Sequence, residues 1–142
     1  MREIREILFR GKCCTTGEWV EGFLGIEELD DYVIQQFSFD EYFASECIDQ
    51  YSVKLETVGQ YTGLTDKNGT KIFEGDILHA TLGNFVVRWS ESICSFVAGE
   101  KERMRPCMNS GTMKCCEVIG NIHDNPELIE LDVHKVETAE SE

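Results

Sequence analysis

Seven cysteines, three histidines and a short basic run are the groups in this sequence with chemistry to offer. Thiolates hold zinc when two of them reach one ion, which calls for pairs separated by about two to four residues. Cys13-Cys14 and Cys115-Cys116 are adjacent instead, and Cys47, Cys94 and Cys107 stand alone. Adjacent residues of a strand point to opposite faces, so neither pair can close on one ion from a strand. An odd count without a secretory leader argues for reduced thiols. Free, mostly buried cysteines are expected, and no metal.

The histidines, His79, His123 and His134, lie far apart. A catalytic base needs an orienting group in reach, and no His–His or His–Cys spacing here supplies one. Asp66-Lys-Asn-Gly-Thr70 has the look of a calcium loop, but the glycine required at position six is Lys71 and the terminal acidic ligand is Ile77. A hairpin turn accounts for the same residues. Glu74 and Asp76 bracket a glycine, and nothing in the sequence drives their pKa values apart as acid–base work demands. The chain therefore reads as a non-enzyme without catalytic residues or cofactors.

Lys101-Glu-Arg-Met-Arg105 is a basic exception in an acidic chain of net charge −14. Arginine forks suit phosphate and carboxylate, so Lys101, Arg103 and Arg105 are candidate ligand-binding residues for a small anion such as a nucleotide signal. The competing explanation is a solvated loop pairing weakly with the chain's own carboxylates. Arg2, Arg5, Arg10 and Lys12 form a second basic cluster, and in a homo-oligomer the two would meet in a pocket. Residues 18–57 carry eleven acidic groups against Lys54 alone. Such a field repels nucleic acid, so generic nucleic-acid binding is not expected. It suits a protein partner with a basic surface, from host or phage, or serves to keep the chain soluble.

The elements that must position these groups read mostly as strands. At 142 residues one domain is expected, over 1–131, followed by an acidic, disordered tail over 132–142. Glu18 to Ile26 and Tyr32 to Phe39, joined at Asp30-Asp31, read as a hairpin rich in aromatic and branched residues. Residues 40–49 suggest a short helix capped by Asp40, and residues 51–58 a third strand. Asn68-Gly69 predicts a hairpin with a type I′ turn, which needs positive φ at both positions. Further short strands follow over 77–81, 85–89 and 92–98. Residues 99–114 lose periodicity and read as a mobile loop, and 115–122 as a last strand before the Asn125-Pro126 turn. The fold class expected is mainly β, a small SH3-like barrel or sandwich with an N-terminal β-hairpin extension and one or two short helices. No run approaches the roughly 18 apolar residues of a membrane span. The charged start lacks a signal-type apolar core, so a cytoplasmic location in a bacterial host, away from the membrane, is expected.

Three blocks then support a resemblance. Phe9-Arg-Gly-Lys12 with Gly17-Glu-Trp-Val20, the long central block Glu56-Thr-Val-Gly-Gln-Tyr-Thr-Gly-Leu64 through Ile72-Phe-Glu-Gly-Asp-Ile77, and Val118-Ile-Gly-Asn-Ile122 with Asn125-Pro-Glu-Leu128 resemble the YopX family. Cys13-Cys14 and the stretch 99–114 depart from its pattern. The resemblance implies a β-rich fold, self-association, and an origin in phages or prophages, and it carries no established activity or catalytic residue. The function expected is that of a non-enzymatic accessory protein that binds a partner. The alternative is an oligomer that sequesters a small anionic ligand.

Overall fold

Branched and aromatic side chains pack best on a pleated, half-buried surface, and they dominate Trp19–Ile26 (β2) and Tyr32–Asp40 (β3). The computed structural model describes residues 4–99 and 106–129, and in it these two stretches form the expected antiparallel hairpin. Phe9–Lys12 (β1) lies on the other side of β2, in register from Phe9↔Gly22 to Lys12↔Trp19. Gly22 belongs there for a spatial reason. A Cβ at that position would run into the carbonyl oxygen of Gln35 on β3, so only glycine lets the strands approach.

The chain divides into two compact units, Met1–Tyr61 and Thr62–Glu142. In the first, the strand order is β4-β3-β2-β1-β5, where β4 is Ser45–Ser52 and β5 is Gly59–Thr65. The expected helix over 40–49 is absent, because β4 takes its place. Asp40 does cap as predicted, its Oδ1 accepting the N–H groups of Tyr42 at 2.9 Å and Phe43 at 3.3 Å. The chain then reverses through Ala44 at φ 49° instead of propagating a helix. Eight cross-strand pairs with β3, from Val33↔Ser52 to Asp40↔Ser45, outweigh a local helical start. Residues 51–58 are accordingly not one strand: β4 ends at Ser52 and a single 3₁₀ turn occupies Leu55–Thr57. That turn is tied to β1, since Lys12 N–H donates to Thr57 Oγ1 at 2.9 Å.

The second unit begins within β5 and continues as Lys71–Phe73 (β6), Asp76–Ala80 (β7), Gly83–Ser90 (β8), Ser95–Ala98 (β9) and Glu117–Asn121 (β10). Four of these make an antiparallel sheet in the order β10-β7-β8-β9. The alternation of Phe85 and Val87 faces a core that also holds Ile72, Leu78, Ala98, Met113 and Cys116. Met113 sits on a four-residue helix, Ser110–Met113 (α1), within the stretch expected to be an irregular loop. Asn109 caps it by accepting the Thr112 N–H at 2.9 Å. One turn is too short to show a 3.6-residue period in sequence. The chain is mainly β, as expected. In neither unit do the described strands close into a barrel, and both sheets stay open. The acidic tail over 132–142 lies outside the described residues. Among the described residues no helix is long and apolar enough to cross a membrane.

The turn at Asn68-Gly69 joins β5 to β6 as the sequence indicates, but not as type I′. Gly69 has φ 79°, whereas Asn68 stays at negative φ. Asp66 explains the difference. Its Oδ1 accepts the N–H groups of Asn68 at 2.8 Å and Thr70 at 2.9 Å, shaping the turn from within. Its Oδ2 accepts the Val118 N–H at 2.9 Å, fastening β10 to that turn. The carboxylate is only 3% exposed. Burial pushes its pKa up, but the N–H groups of Val118, Thr70 and Asn68 and the charge of Lys67 outweigh that and hold it below the ordinary 3.8.

Asp66→Ala is expected to lower the free energy of unfolding by about 3 kcal/mol, because it strands buried N–H groups as well as removing charged hydrogen bonds. Urea titration at neutral pH measures it. Since folding lowers this pKa, its contribution is complete at neutral pH and is lost as pH falls through the folded value, below about pH 4. Asp66→Asn should flatten that part of the stability–pH curve.

Candidate functional site

The side chains of a strand alternate, so the register of β2, β3 and β4 fixes which residues share a face. Phe23 lies opposite Gln35, Phe37 opposite Ile48, and Phe39 opposite Glu46. Phe23, Phe37, Phe39 and Ile48 therefore stand on one face of the sheet. All four are between 54% and 60% exposed. The Phe23 and Phe37 rings meet edge to face at 5.5 Å, a favourable geometry for aromatic quadrupoles. At the end of the β3–β4 hairpin, Tyr42 and Phe43 make a second such pair at 4.9 Å and are also exposed. Burying apolar surface of this kind is worth about 25 cal/mol per Å², so leaving it in water is costly.

The β3–β4 end of this sheet is acidic. Asp40, Glu41, Glu46 and Asp49 lie on the hairpin, Glu46 on the face of Phe37 and Asp40 and Asp49 on the other, and residues 18–53 contain no lysine or arginine. Arg10 and Lys12 on β1, paired with Glu21 and Trp19, fall on the same face as Phe23. Polar order accompanies the acids: Gln35 Nε2 donates to Gln50 Oε1 at 2.9 Å, and Gln50 Nε2 donates in turn to Glu27 Oε1. An apolar centre with acids at its β3–β4 end is an arrangement that a basic partner would complete there.

Other groups singled out by sequence fall elsewhere. Lys101, Arg103 and Arg105 lie outside the described residues, as do Arg2 and His134. Arg10 and Lys12 are on β1, where their cationic groups sit 4.7 and 5.5 Å from the centre of the Trp19 ring. They stack on an aromatic face. His79 Nδ1 meets Asn84 Oδ1 at 2.9 Å across the β7–β8 hairpin. Other large aromatic residues differ in environment, with Tyr61 buried, Trp19 half-buried, and Trp89 exposed in an edge-to-face pair with Phe96 at 5.1 Å.

The cysteines are free but not mostly buried. Cys13 and Cys116 are buried, Cys47 is intermediate, and Cys14, Cys94, Cys107 and Cys115 are exposed. Adjacent members of each pair do take opposite environments, as the strand argument requires for Cys13 and Cys14. The two buried thiols are tuned in opposite directions. Burial, together with Cys115 and Asp66, pushes Cys116 up. Cys13 is lowered from 9.0 to about 6 by hydrogen bonds from the hydroxyls of Thr15 and Thr16 and from their backbone N–H groups. Its Sγ lies 3.2 Å from Thr15 Oγ1.

With this geometry in place, the comparison with known families is decisive. A model of the family described as YopX protein matches residues 8–130. The chain belongs to the YopX family. The match takes in both compact units and the whole β2–β3–β4 face. A search of curated proteins finds no match. Among solved structures, this YopX chain is similar to the crystal structure of protein EF1440 from Enterococcus faecalis, with a TM-score of 0.61 and 23% identity. That likeness covers 87% of this chain and 97% of the other, and at such identity it shows the fold.

What sequence reading missed is the apolar face itself. Phe37, Phe39 and Ile48 carry the alternation of an ordinary half-buried strand. Only the excess of acids hinted at exposure.

Thiolate absorbance at 240 nm, followed from pH 4 to pH 10, should show a step near pH 6 that disappears in Cys13→Ser. Because folding lowers this pKa, its contribution to stability is absent at low pH, grows above about pH 6 and is complete near pH 9. Cys13→Ser should therefore cost more stability at pH 8.5 than at pH 5.5.

Proposed function

We propose that this YopX protein is a non-enzymatic phage or prophage accessory protein that acts by binding a protein partner on the β2–β3–β4 face. The observation that carries this reading is the exposure of Phe23, Phe37, Phe39 and Ile48 on one face of the sheet. Contiguous exposed apolar surface marks interaction sites, and a few aromatic anchors supply most of the binding energy in an interface. The surrounding acids select the partner's sign. A basic surface is drawn in by the field of residues 18–57, which raises the rate of encounter. The phage setting comes from what is implied by the family. Self-association, also implied by the family, would set two such acidic segments against each other on this face, so it belongs to another surface.

In pull-downs with cross-linking, Phe37→Ser combined with Phe39→Ser should lose a basic partner captured by the wild type at low salt. The loss should be at least about tenfold in affinity, the scale of one anchor residue. Both side chains are largely in water, so unfolding free energy should move by less than about 1 kcal/mol. Capture that is unchanged in the double variant sinks the proposal.

A further inference from the structure

Resting on that reading of the face, the backbone of β4 narrows the kind of partner. β4 has β3 on one side, and among the described residues no other strand lies on the opposite side. The direction of its backbone groups can be read from its end. Val53 N–H donates to Tyr32 O on the β3 side at 3.0 Å. Ser52 O, by contrast, accepts the Cys14 N–H at 2.8 Å on the side away from β3. In an antiparallel ladder the N–H and C=O of one residue point the same way, and successive residues alternate. The β3–β4 register has no shift along its length. Residues of the same parity as Ser52, namely Gln50, Ile48 and Glu46, therefore turn their N–H and C=O groups to the open edge.

An open edge is a template for another strand, and proteins protect such edges with charge. Glu46 and Asp49 do that here against a second copy of the chain, which would bring the same acids alongside. They do the opposite for a basic strand. Side-chain parity adds a second condition. A strand laid along β4 would place alternate residues on the face of Ile48, next to Phe37, and the intervening residues on the face of Asp49.

We propose that the partner contributes an extended segment alternating apolar and Lys/Arg residues, which adds to the open edge of β4 with its apolar side chains on the Phe37–Ile48 face. Main-chain hydrogen bonds to Glu46, Ile48 and Gln50 would supply affinity, and the alternation would supply specificity.

The probe is a fluorescein-labelled heptapeptide, Lys-Ile-Lys-Phe-Lys-Ile-Lys, titrated with the full chain and read by fluorescence anisotropy. Two further peptides carry backbone N-methyl groups, on the apolar residues in one and on the lysines in the other. Strand addition predicts that one methylation pattern weakens binding at least tenfold while the other leaves it within about twofold, since only one edge of the peptide faces β4. It also predicts a loss of at least tenfold in Glu46→Lys with Asp49→Lys, whose circular dichroism should match the wild type. If both methylated peptides bind like the parent but Phe37→Ser with Phe39→Ser abolishes binding, the face is a docking surface and strand addition is wrong. If the parent peptide binds equally to the wild type and to every variant, or to none, the inference falls. So it does if sedimentation shows a dimer that Ile48→Lys dissociates, which would put a second copy on this edge.

Discussion

The uninterrupted pairing of β3 with β4 is the constraint on which the rest of the first unit's surface depends. Eight consecutive pairs fix the side-chain parity of both strands. A slip of one residue would put Ile48 on the face opposite Phe37 and Phe39 and turn a different set of backbone groups outward. The register also keeps Ile34, which is fully buried, on the opposite side from Phe37. One ladder thus decides which aromatic residues are in water, which amides face an open edge, and how the acids lie between them. Near the end of that ladder the strands are tied locally, by Val53 to Tyr32 and by Cys14 to Ser52, so the far end is the one left with an open side.

The second unit rests on a different kind of anchor. Asp66 joins a turn to a strand 52 residues further along the chain, through three backbone N–H groups gathered on one buried carboxylate. Ordinary apolar packing of Ile72, Leu78, Phe85, Val87 and Met113 fills the space beneath. The contrast between the units is chemical. One spends its aromatic residues on the surface amid acids, whereas the other buries its own and leaves Trp89 and Phe96 as its main aromatic pair. Residues that fix a fold and residues that meet a partner are accordingly well separated: Asp66, Gly69 and Gly22 serve backbone geometry, while Phe37, Phe39 and Ile48 do little for folding.

Much of the architecture was legible because it follows from period and turn chemistry. The β2–β3 hairpin, the β5–β6 turn at Asn68-Gly69 and the strand over residues 85–89 all announce themselves through alternation and glycine. Residues 40–49 did not, because Asp40 makes the same N–H contacts at the head of a helix and in a tight turn. Helix α1 was hidden by its length. The cysteines misled for another reason: a thiol's preference for burial is statistical, and four of the seven fall on turns or edges where no core exists to take them.

By itself the sequence determined the β character, the places where the chain reverses, the acidic field and the family, since each depends on residue type and short-range spacing. Tertiary structure decided the strand at residues 45–52, the depressed pKa of Asp66 and the exposure of the aromatic face. The physical reason is common to all three. Each depends on what a distant segment brings alongside, whether a backbone amide, a partner strand or nothing but water, and no local pattern encodes that.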